Sequence, residues 1–468
     1  MLNRLCLVSV AVVAGCTSGD NERLVTQPPS NLVRVDQEQP GDHCTNGGVA
    51  IQTGTDSNGN GTLDDGEISS TQYVCNGATA VRCADGGQAL NDSVTIHTQA
   101  DFGQLAGISC IDGDLIIAGL GGEIPPLATL ATVTGEIVIA GNPDITTLSA
   151  LDSLRNVGQS YLIQGNDSLT DIGEVAALDN VLSVFLIGNN SLADLSGLSS
   201  LATIKTKLTV SNNRWLLSLH GLENVETASS LTIRSNTALS DLGALANLRS
   251  ATLLEISGNP ALTSLTLPNL EKLDIRLLIN QNPNLLDVTL PKLATLSDGI
   301  TYSGDPKMTS ISMPALLATG TLTFENDTEL VTVDVPNLAY LTVDLNFTNL
   351  NSITASHFPA LTAVGGTMRV YNVRPFTSFV GFEGLSSIGS LWITQGNGLV
   401  DFTGLDSLQT ISGDFTLAAS PDVTSFAGLG AMTTIGGNVV ISSNQSLPLA
   451  VSQAFVSSVS VDGTVTIN

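Results

Sequence analysis

Apolar residues recur with a period of about 23 residues from near residue 113 to residue 468. Each copy holds a short β run with alternating apolar side chains, then an Asn, then apolar residues at intervals of three. Two examples are EIVIAGNPDITTLSALDSLRNV at 136–157 and SLTIRSNTALSDLGALANL at 230–248. Alternation places every second side chain of the run on one face. A fixed period of this length is typical of a solenoid whose coils bury their apolar sides against each other. The pattern therefore predicts an all-β-rich, parallel β-solenoid of about 14 coils over residues 113–468.

One polar position keeps the same period. Seven successive copies place an Asn just after the β run: Asn142, Asn166, Asn189, Asn213, Asn236, Asn259 and Asn282. Carried forward, the register meets Asp305, Asp327, Leu350, Val373, Asn397, Ser420 and Asn444. Stacked amide side chains can hydrogen-bond the backbone of the coil corner. We therefore expect a structural ladder here rather than a ligand site.

The repeat resembles leucine-rich repeats and, more closely, the receptor L domain, whose coils carry G-x-L-x-I-x-x-N-x-x-L-x-x-L-x-x-L-x-x-I. The similarity covers roughly three-quarters of the chain. It implies a right-handed solenoid that recognises proteins or glycans across an extended face.

The amino-acid composition narrows the classes of partner that the protein is expected to bind. The formal net charge is −27, only 16 of the 468 residues are Lys or Arg, and no basic stripe occurs. A nucleic-acid partner is not expected, because phosphate binding depends on Lys and Arg. The acidity fits the solubility of an extracellular surface, with calcium or basic partners as the alternatives.

Residues 1–15 have the form of an export signal. Arg4 gives a positive start, and the apolar stretch LCLVSVAVVAG is too short to span a membrane. The following VAGC at 13–16 resembles the bacterial lipoprotein lipobox, which implies cleavage before Cys16 and lipidation of that cysteine. The alternative is a plain signal peptide with an incidental cysteine. Thr17 stands where Asp retains many such lipoproteins in the inner membrane, so the resemblance implies an outer-membrane anchor.

The segment 16–40 is polar, contains three prolines and shows no periodicity. This composition predicts a flexible tether between the lipid and the folded part.

Four cysteines remain after the signal peptide and the lipidated residue: Cys44, Cys75, Cys83 and Cys110. An even number in an exported protein predicts two disulfides, with three possible connectivities. The nested motifs favour Cys44–Cys75 and Cys83–Cys110, because each pair brackets a distinct segment. We expect a small module at 41–78 and an N-terminal solenoid cap at 79–112.

The first cysteine pair encloses DSNGNGTLDDGE at 56–67, which has the spacing of a twelve-residue EF-hand loop. The expected calcium ligands are Asp56, Asn58, Asn60, the backbone carbonyl of Thr62, Asp64 and a bidentate Glu67. Strand-like sequences, GGVAIQTGT and ISSTQYVC, flank the loop where an EF-hand has helices. The pattern predicts a calcium clip in a small β module, and the alternative is an acidic turn without an ion.

The unit at 41–77, C-x-x-GG-x-x-I-x-x-G-x-D-x-N-x-NG-x-LD-x-x-E followed by YVCNG, resembles a Cys-bracketed calcium-loop module of bacterial surface lipoproteins. This resemblance implies a structural Ca²⁺, which would rigidify a segment that lacks a core of its own.

Residues that could serve an enzyme are scattered. The four histidines do not lie at ligand spacing: His43, His97, His220 and His357. No G-x-S-x-G nucleophile motif occurs. The strongest surface cluster is Arg369, Tyr371 and Trp392, which alternation places outward on adjacent coils. Such residues can bind a sugar or a protein, and the alternative is a set of unrelated surface residues.

Together these features predict a non-enzymatic, lipid-anchored bacterial cell-surface protein whose solenoid binds protein or glycan ligands. A passive structural component of the envelope is the main alternative, and a polysaccharide-active β-helix enzyme is a remote one. The sequence leaves open the ligand, the oligomeric state, and whether the last coil seals itself or pairs with another chain.

Overall fold

The chain folds as two compact units, within residues 1–80 and 81–468. The computed structural model describes residues 31–38, 48–55, 57–58, 63–75, 83, 88–173 and 181–468. The expected signal peptide, the lipidation site Cys16 and the cysteine Cys44 lie outside these described residues.

The N-terminal unit contains a three-stranded antiparallel sheet with the strands Asn31–Glu38, Gly48–Thr55 and Ile68–Cys75, the second being central. A short 3-10 helix, Asp65–Glu67, leads into the third strand. Both strands expected around the calcium-type loop are therefore confirmed. The strand Asn31–Glu38, however, lies in the segment expected to be a flexible tether. Its polar, proline-flanked sequence gives a weak strand signal, and pairing with Gly48–Thr55 provides its backbone hydrogen bonds.

The C-terminal unit is an all-β solenoid of about 16 turns, as the repeat predicted. Each strand of its long sheet pairs in parallel with a strand one coil away. The strands of this sheet are Val94–Ile96, Leu115–Ala118, Ile137–Ala140, Ser160–Gln164, Ser183–Ile187, Thr203–Ser211, Thr227–Arg234, Ser250–Ser257, Lys272–Asn280, Gly299–Ser303, Thr321–Glu325, Leu345–Thr348, Ala363–Tyr371, Ser387–Thr394, Phe415–Ala418, Val439–Ser442 and Val465–Ile467.

Shorter parallel strands form the other sides of the coils. Those at the corner before the long sheet are Ala89–Leu90, Cys110–Ile111, Thr132–Val133, Asn156–Val157, Ala318–Thr319, Tyr340–Leu341, Thr410–Ile411, Thr434–Ile435 and Ser460–Val461. A five-stranded sheet consists of Ser264–Thr266, Asp287–Thr289, Ser310–Ser312, Thr332–Asp334 and Ala355–His357. The 3-10 helices among the described residues of this unit are Gln99–Leu105, Ser149–Leu151, Ser196–Leu198 and Gly243–Asn247.

The number of turns exceeds the expected 14 because the parallel ladder extends beyond the fourteen coils counted from the periodic position. The strand Leu115–Ala118 belongs to the ladder of coils, although the apolar Leu120 lies at its marked position, and Val465–Ile467 pairs in parallel with Val439–Ser442. The parallel pairing also extends one strand upstream of residue 113, to Val94–Ile96.

Alternation along each strand fills the interior with aliphatic side chains. In the strand Ile137–Ala140, Ile137 and Ile139 are fully buried, while Val138 and Ala140 remain partly exposed on the other face. The same buried and half-buried alternation appears in Leu115–Ala118 and Phe415–Ala418. Burial of one face by the adjacent coils supplies the hydrophobic stabilisation of the solenoid.

The predicted Asn ladder is confirmed by its hydrogen bonds. All seven ladder residues from Asn142 to Asn282 are fully buried. In a representative rung, the amide Nδ2 of Asn213 donates to the backbone carbonyl of Leu186 at 2.9 Å. The Oδ1 of Asn213 accepts from the backbone N–H of Asn189, also at 2.9 Å. Each amide thus satisfies two backbone groups of the preceding coil that would otherwise be buried without partners.

The buried ladder position changes character in the later coils. It is occupied by Asp305 and Asp327, then by the aliphatic Leu350 and Val373. In the next coil it is Gly396 rather than the expected Asn397, because the backbone N–H of Gly396 donates to Ser420 Oγ at 3.1 Å.

Aromatic side chains replace aliphatic ones in the same later coils. The rings of Tyr302, Phe324 and Phe347 stack in sequence, with centroid separations of 5.6 and 5.3 Å. A second stack includes Phe402 and Phe426, whose centroids lie 5.6 Å apart. These rings are buried or half-buried inside the coils, so the later half of the solenoid has an aromatic core.

A ten-residue α-helix, Leu449–Ser458, precedes the last strand of the long sheet. Its Phe455 is buried and stacks on Phe426 at a centroid distance of 4.1 Å. The helix therefore continues the aromatic core between the last two long-sheet strands. Among the described residues, no helix has the length and hydropathy needed to cross a membrane.

Candidate functional site

Arg369 and Trp392 lie side by side on the outer face of the long sheet. They are paired neighbours of the strands Ala363–Tyr371 and Ser387–Thr394. The Arg369 guanidinium carbon lies 4.5 Å from the centroid of the Trp392 ring, within the range of a cation–π interaction. The structure thus brings together two of the three residues that the sequence singled out.

Tyr371 occupies the same face, two residues along the strand from Arg369. It is paired in register with Thr394, which places it diagonally across from Trp392. Trp392 and Tyr371 are 40% and 36% exposed, so both rings are open to solvent. We name Arg369, Tyr371 and Trp392 the aromatic face.

The strands flanking the aromatic face carry small polar residues. Asn346 is paired with Arg369 on one side, and Thr416 is paired with Trp392 on the other. Asn346 and Thr416 are partly exposed, and the Asn346 amide Nδ2 donates to Thr323 Oγ1 at 3.1 Å. Two exposed rings and a guanidinium, bordered by amide and hydroxyl groups, form a surface that can both stack and hydrogen-bond.

A second Arg–Trp pair was not singled out by the sequence. Arg214 and Trp215 follow the strand Thr203–Ser211, and the guanidinium carbon lies 5.6 Å from the ring centroid. Trp215 is 58% exposed. This pair lies in a turn beyond the end of its strand, whereas Arg369 and Trp392 are held on two paired strands. It has the same chemistry in a less constrained setting.

A surface groove of about 420 Å³ opens over one corner of the solenoid. Thr295 and Ala318 are paired neighbours at this corner, in successive coils. From Ala318 the chain takes four residues to reach the inward-facing Leu322 of the long sheet, whereas from Thr295 it takes five to reach the equivalent Ile300. This corner is also one residue shorter than the next, where five steps lead from Tyr340 to Leu345. The short corner is thus recessed between longer ones.

The walls of this groove differ in chemistry. One side carries an ion pair between Lys272 Nζ and Asp274 Oδ1 at 2.6 Å, and the other carries Tyr340, whose ring is 48% exposed. Sequence reasoning missed the groove, although the 22-residue spacing between Gly299 and Thr321 is a detectable signal.

The calcium-type loop is described in part. The Oε1 of Glu67 accepts hydrogen bonds from the backbone N–H groups of Ser57 at 2.8 Å and Asn58 at 3.1 Å. Its Oε2 accepts a hydrogen bond from the backbone N–H of Asp64 at 3.2 Å. The Asn58 amide Nδ2 donates to Asp64 Oδ2 at 2.8 Å. Three predicted ligands, Asn58, Asp64 and Glu67, are therefore close together.

The residue types fit a hard cation, because amide and carboxylate groups can supply oxygen ligands. In this structure Asn58 faces Asp64 through its Nδ2, and both Glu67 oxygens accept backbone N–H groups. The other predicted ligands, Asp56, Asn60 and Thr62, lie outside the described residues. Within the described ranges, no three His, Cys, Asp or Glu side chains come together as a metal-binding group. Asn58, Asp64 and Glu67 are the predicted ligands among the described residues that could hold such a cation.

The loop is held to the sheet by contacts that the sequence did not reveal. Arg34, on the first strand, donates from Nη1 to the Leu63 carbonyl at 2.9 Å and from Nη2 to Asp65 Oδ1 at 2.8 Å. Leu63 is buried, as expected for the apolar loop position. Gly54 packs so closely on the Glu67 carbonyl that a Cβ there would collide with it. The backbone around Glu67 is therefore held by the Arg34 hydrogen bonds and by the close packing of Gly54.

The described cysteines agree with one of the two predicted disulfides. Cys83 and Cys110 are bonded, with a Cα–Cα distance of 5.5 Å. Cys110 belongs to the short sheet of the first coils, so this bond ties residue 83 to the start of the solenoid. The predicted Cys44–Cys75 pair lies outside what is described, because Cys44 is not among those residues.

The described histidines make local contacts. The Nδ1 atoms of His97, His220 and His357 lie 2.7–2.8 Å from the Ala118 carbonyl, the Glu223 carboxylate and the Asp334 carboxylate, respectively. The hydrogen bond to Glu223 raises the pKa of His220. Each contact links a histidine to its own or an adjacent coil.

Residues 31–75 match a domain family of unknown function, DUF7151. This match extends from the first strand of the N-terminal sheet to the last residue of its third strand. No curated protein sequence matches the chain. The family match leaves the solenoid uncovered, so the function of the solenoid has to be argued from its surface.

Proposed function

We propose that this protein is a non-enzymatic cell-surface binding protein whose solenoid recognises a protein or glycan ligand through the aromatic face. The observation that carries the proposal is the exposed Arg369–Trp392 stack with Tyr371 beside it. Exposed aromatic and Arg side chains are the residue types that dominate binding energy in recognition surfaces.

The position of these residues supports recognition. A side chain on a strand of a stacked solenoid has its backbone fixed by pairing on both sides, as Arg369 does between Asn346 and Trp392. A surface that is ordered before binding loses less conformational entropy when a ligand docks. The aromatic face therefore presents a preformed platform, in contrast to the turn that carries Trp215.

We further propose that the chain is attached to the bacterial outer membrane by a lipid on Cys16. The support is the signal-like segment 1–15 and the lipobox-like VAGC at 13–16. Mass spectrometry of the native protein should find an N-terminal Cys16 with a diacylglyceryl adduct. A free, unmodified cysteine would mean ordinary secretion.

The N-terminal unit is proposed to bind a structural Ca²⁺ in the loop at 56–67. The support is the loop spacing and the meeting of Asn58, Asp64 and Glu67. EDTA should lower the melting temperature of this unit in the full chain, and Glu67→Gln should remove the dependence on calcium. Asp65→Asn is a matched control, because Asp65 pairs with Arg34 rather than occupying a ligand position. Equal melting with and without EDTA would contradict a bound calcium.

The recognition proposal is tested with the full-length chain on a glycan array and on intact bacterial and host cells, with and without calcium. We expect saturable binding that Trp392→Ala weakens by at least about tenfold, since loss of a buried aromatic contact at an interface costs about 2 kcal/mol or more. Trp215→Ala is the matched control and should bind as the parent chain does. Tyr340→Ala tests whether the groove contributes.

Each outcome bears on the proposal. Binding that Trp392→Ala abolishes and Trp215→Ala preserves would locate the ligand on the aromatic face. Binding that depends on Tyr340 alone would move the site to the groove and overturn the assignment to the aromatic face. Absence of binding to every glycan and cell surface would favour a passive envelope component.

A further inference from the structure

Asp305 and Asp327 occupy two successive rungs of the buried ladder, where the seven preceding rungs have Asn. Both are fully shielded from solvent. Their Oδ1 atoms repeat the role of the Asn oxygen: Asp305 Oδ1 accepts from the backbone N–H of Asn282 at 2.6 Å, and Asp327 Oδ1 accepts from that of Asp305 at 2.8 Å. The Oδ1 atom of each carboxyl group therefore makes the same hydrogen bond that the Asn Oδ1 makes in the preceding rungs.

The second oxygen of each carboxyl group has no partner. Asp305 Oδ2 and Asp327 Oδ2 are buried without a hydrogen bond among the described residues. In the preceding rung, the corresponding Nδ2 of Asn282 donates to the carbonyls of Ile256 at 3.1 Å and Asn280 at 3.0 Å. The 23-residue repeat places the carbonyls of Ile279 and Ser303 in the same positions around Asp305. A carboxylate oxygen there would face the same kind of acceptor oxygens and has no hydrogen-bond partner in the described part of the structure.

A neutral carboxylic acid removes this conflict. Its O–H donates a hydrogen bond as the amide N–H₂ does, and its carbonyl oxygen keeps the bond to the preceding backbone N–H. A charged carboxylate would instead be buried against carbonyl oxygens, which is unfavourable in a medium of low polarity. We propose that Asp305 and Asp327 form an acid latch: two protonated side chains that close the ladder and release it as the pH rises.

The surroundings of the pair favour the neutral form. Burial is the main cause that raises the pKa of Asp305 to about 7 and of Asp327 to about 8. The neighbouring Asp305 and Glu325 carboxylates add to the rise in the pKa of Asp327. From the strand Gly299–Ser303, the buried Tyr302 faces the pair and donates its O–H to Met313 Sδ at 3.4 Å.

The nearby cation does not neutralise the pair. Lys307, two residues beyond Asp305, is exposed and donates to Asn284 Oδ1 at 2.7 Å. The strand that follows, Leu345–Thr348, has no titratable residue, and its coil places Leu350 at the next ladder position. The preceding strand, Lys272–Asn280, has two cations, and both pair with other carboxylates: Lys272 with Asp274 and Arg276 with Asp298.

The location gives the latch a consequence for the whole solenoid. Asp305 and Asp327 lie at the junction between the coils with the Asn ladder and the coils with the aromatic core, which begins at Tyr302 and Phe324. Ionisation of the pair would weaken the stack between these two parts. Above neutral pH, we expect this junction to open locally before the coils on either side.

The direction of the pH effect follows from proton linkage. The folded pKa of each group is above its unfolded value of 3.8, so its stabilising contribution is complete below that value. The contribution is lost as the pH rises through about 7 and about 8. The chain should therefore lose stability between pH 5 and pH 9 to a greater degree than a chain with amides at both positions.

The test is to compare the full chain with the double variant Asp305→Asn, Asp327→Asn by equilibrium unfolding from pH 5 to pH 9. The ratio of their unfolding constants should change by at least about tenfold across this range, with the double variant more resistant at pH 9. Glu329→Gln, which removes an exposed carboxylate from the same coil as Asp327, should follow the pH profile of the parent chain. Parallel profiles for the parent chain and the double variant would overturn the proposal.

A second measurement does not depend on variant folding. Infrared spectroscopy of the parent chain at pH 6 should show the carbonyl band of protonated carboxylic acids, and the band should vanish by pH 9. Hydrogen exchange should rise first in residues 299–327 over the same range. No protonated band at pH 6 would show that the pair is ionised and that no acid latch exists.

Discussion

In the coils from Asn142 to Asn282 the buried ladder position at the coil corner is an Asn. In the coils that contain Phe347 and Val370 the same position is aliphatic. The amide coils satisfy the corner through buried side chains, as Asn213 does with the Leu186 carbonyl. The later coils move the amide outward by one residue: Asn349 Nδ2 donates to Asn326 Oδ1 at 2.8 Å, and Asn372 Nδ2 donates to Asn349 Oδ1 at 2.9 Å.

The later coils also have aromatic rings in their interior. In the coil that follows Val373, the apolar positions are Phe376, Phe379 and Phe382, where the coil after Asn236 has Leu239, Leu242 and Leu245. The two regions show that a solenoid coil needs a filled interior and a satisfied corner, but not one fixed residue for either task. Each of the following substitutions disturbs either the filled interior or the hydrogen-bonded corner of a coil.

The largest effect is expected from the aromatic core. Phe402→Ala removes a fully buried ring that stacks on Phe379 at 5.9 Å and on Phe426 at 5.6 Å. The free energy of unfolding should fall by about 3–5 kcal/mol, since both burial and packing are lost. Denaturant titration measures this change. Phe402→Leu is the control and should cost clearly less, because leucine fills the same position in the earlier coils.

An intermediate effect is expected from the buried ladder. Asn213→Leu imitates Leu350 of the later coils but leaves the Asn189 backbone N–H and the Leu186 carbonyl without partners. The loss should be about 1–3 kcal/mol, the cost of leaving buried polar groups unpaired. A neutral result in the same denaturant titration would mean that the amide and aliphatic corners are interchangeable, which would break the comparison.

The smallest effect is expected from the outer amides. Asn349 is partly exposed, so water can replace the bonds lost in Asn349→Gly, and glycine adopts the positive φ of 52° at this position without strain. We expect a change within about 1 kcal/mol in the free energy of unfolding. A loss as large as that of Asn213→Leu would show that the outer amides, and not the aromatic packing, hold the later coils together.

The repeat made much of the solenoid predictable. Period and alternation indicated the strands, and the polar mark indicated the bonding of the Asn ladder, because both depend on residues one coil apart. The strands that flank the loop and the Cys83–Cys110 bond could also be predicted from local sequence pattern. These features need only the identity of residues at fixed spacings.

Other features depend on contacts that no spacing reveals. The strand Asn31–Glu38 needs its partner Gly48–Thr55, and the loop contacts of Arg34 follow from that pairing. The groove arises because the corner after Ala318 is shorter than its neighbours. The helix Leu449–Ser458 has a weak amphipathic pattern, and its packing rests on the contact of Phe455 with Phe426.

The candidate site was predictable in composition but not in geometry. Alternation placed Arg369, Tyr371 and Trp392 outward, yet the approach of the guanidinium to the ring depends on side-chain orientation. The chemically similar Arg214 and Trp215 pair shows that composition alone does not select a site. Strand placement is what distinguishes the two pairs.

The most direct test of the recognition account uses the two tryptophans of the chain, Trp215 and Trp392. In a Trp215→Phe variant, all tryptophan fluorescence reports on the aromatic face, and in Trp392→Phe it reports on the turn. Titration with the glycans or surface extracts that bind in the array should shift the emission of the Trp215→Phe variant saturably and leave that of Trp392→Phe unchanged. A response from Trp215 alone, or from neither residue while ligand binds, would contradict the assignment of recognition to the aromatic face.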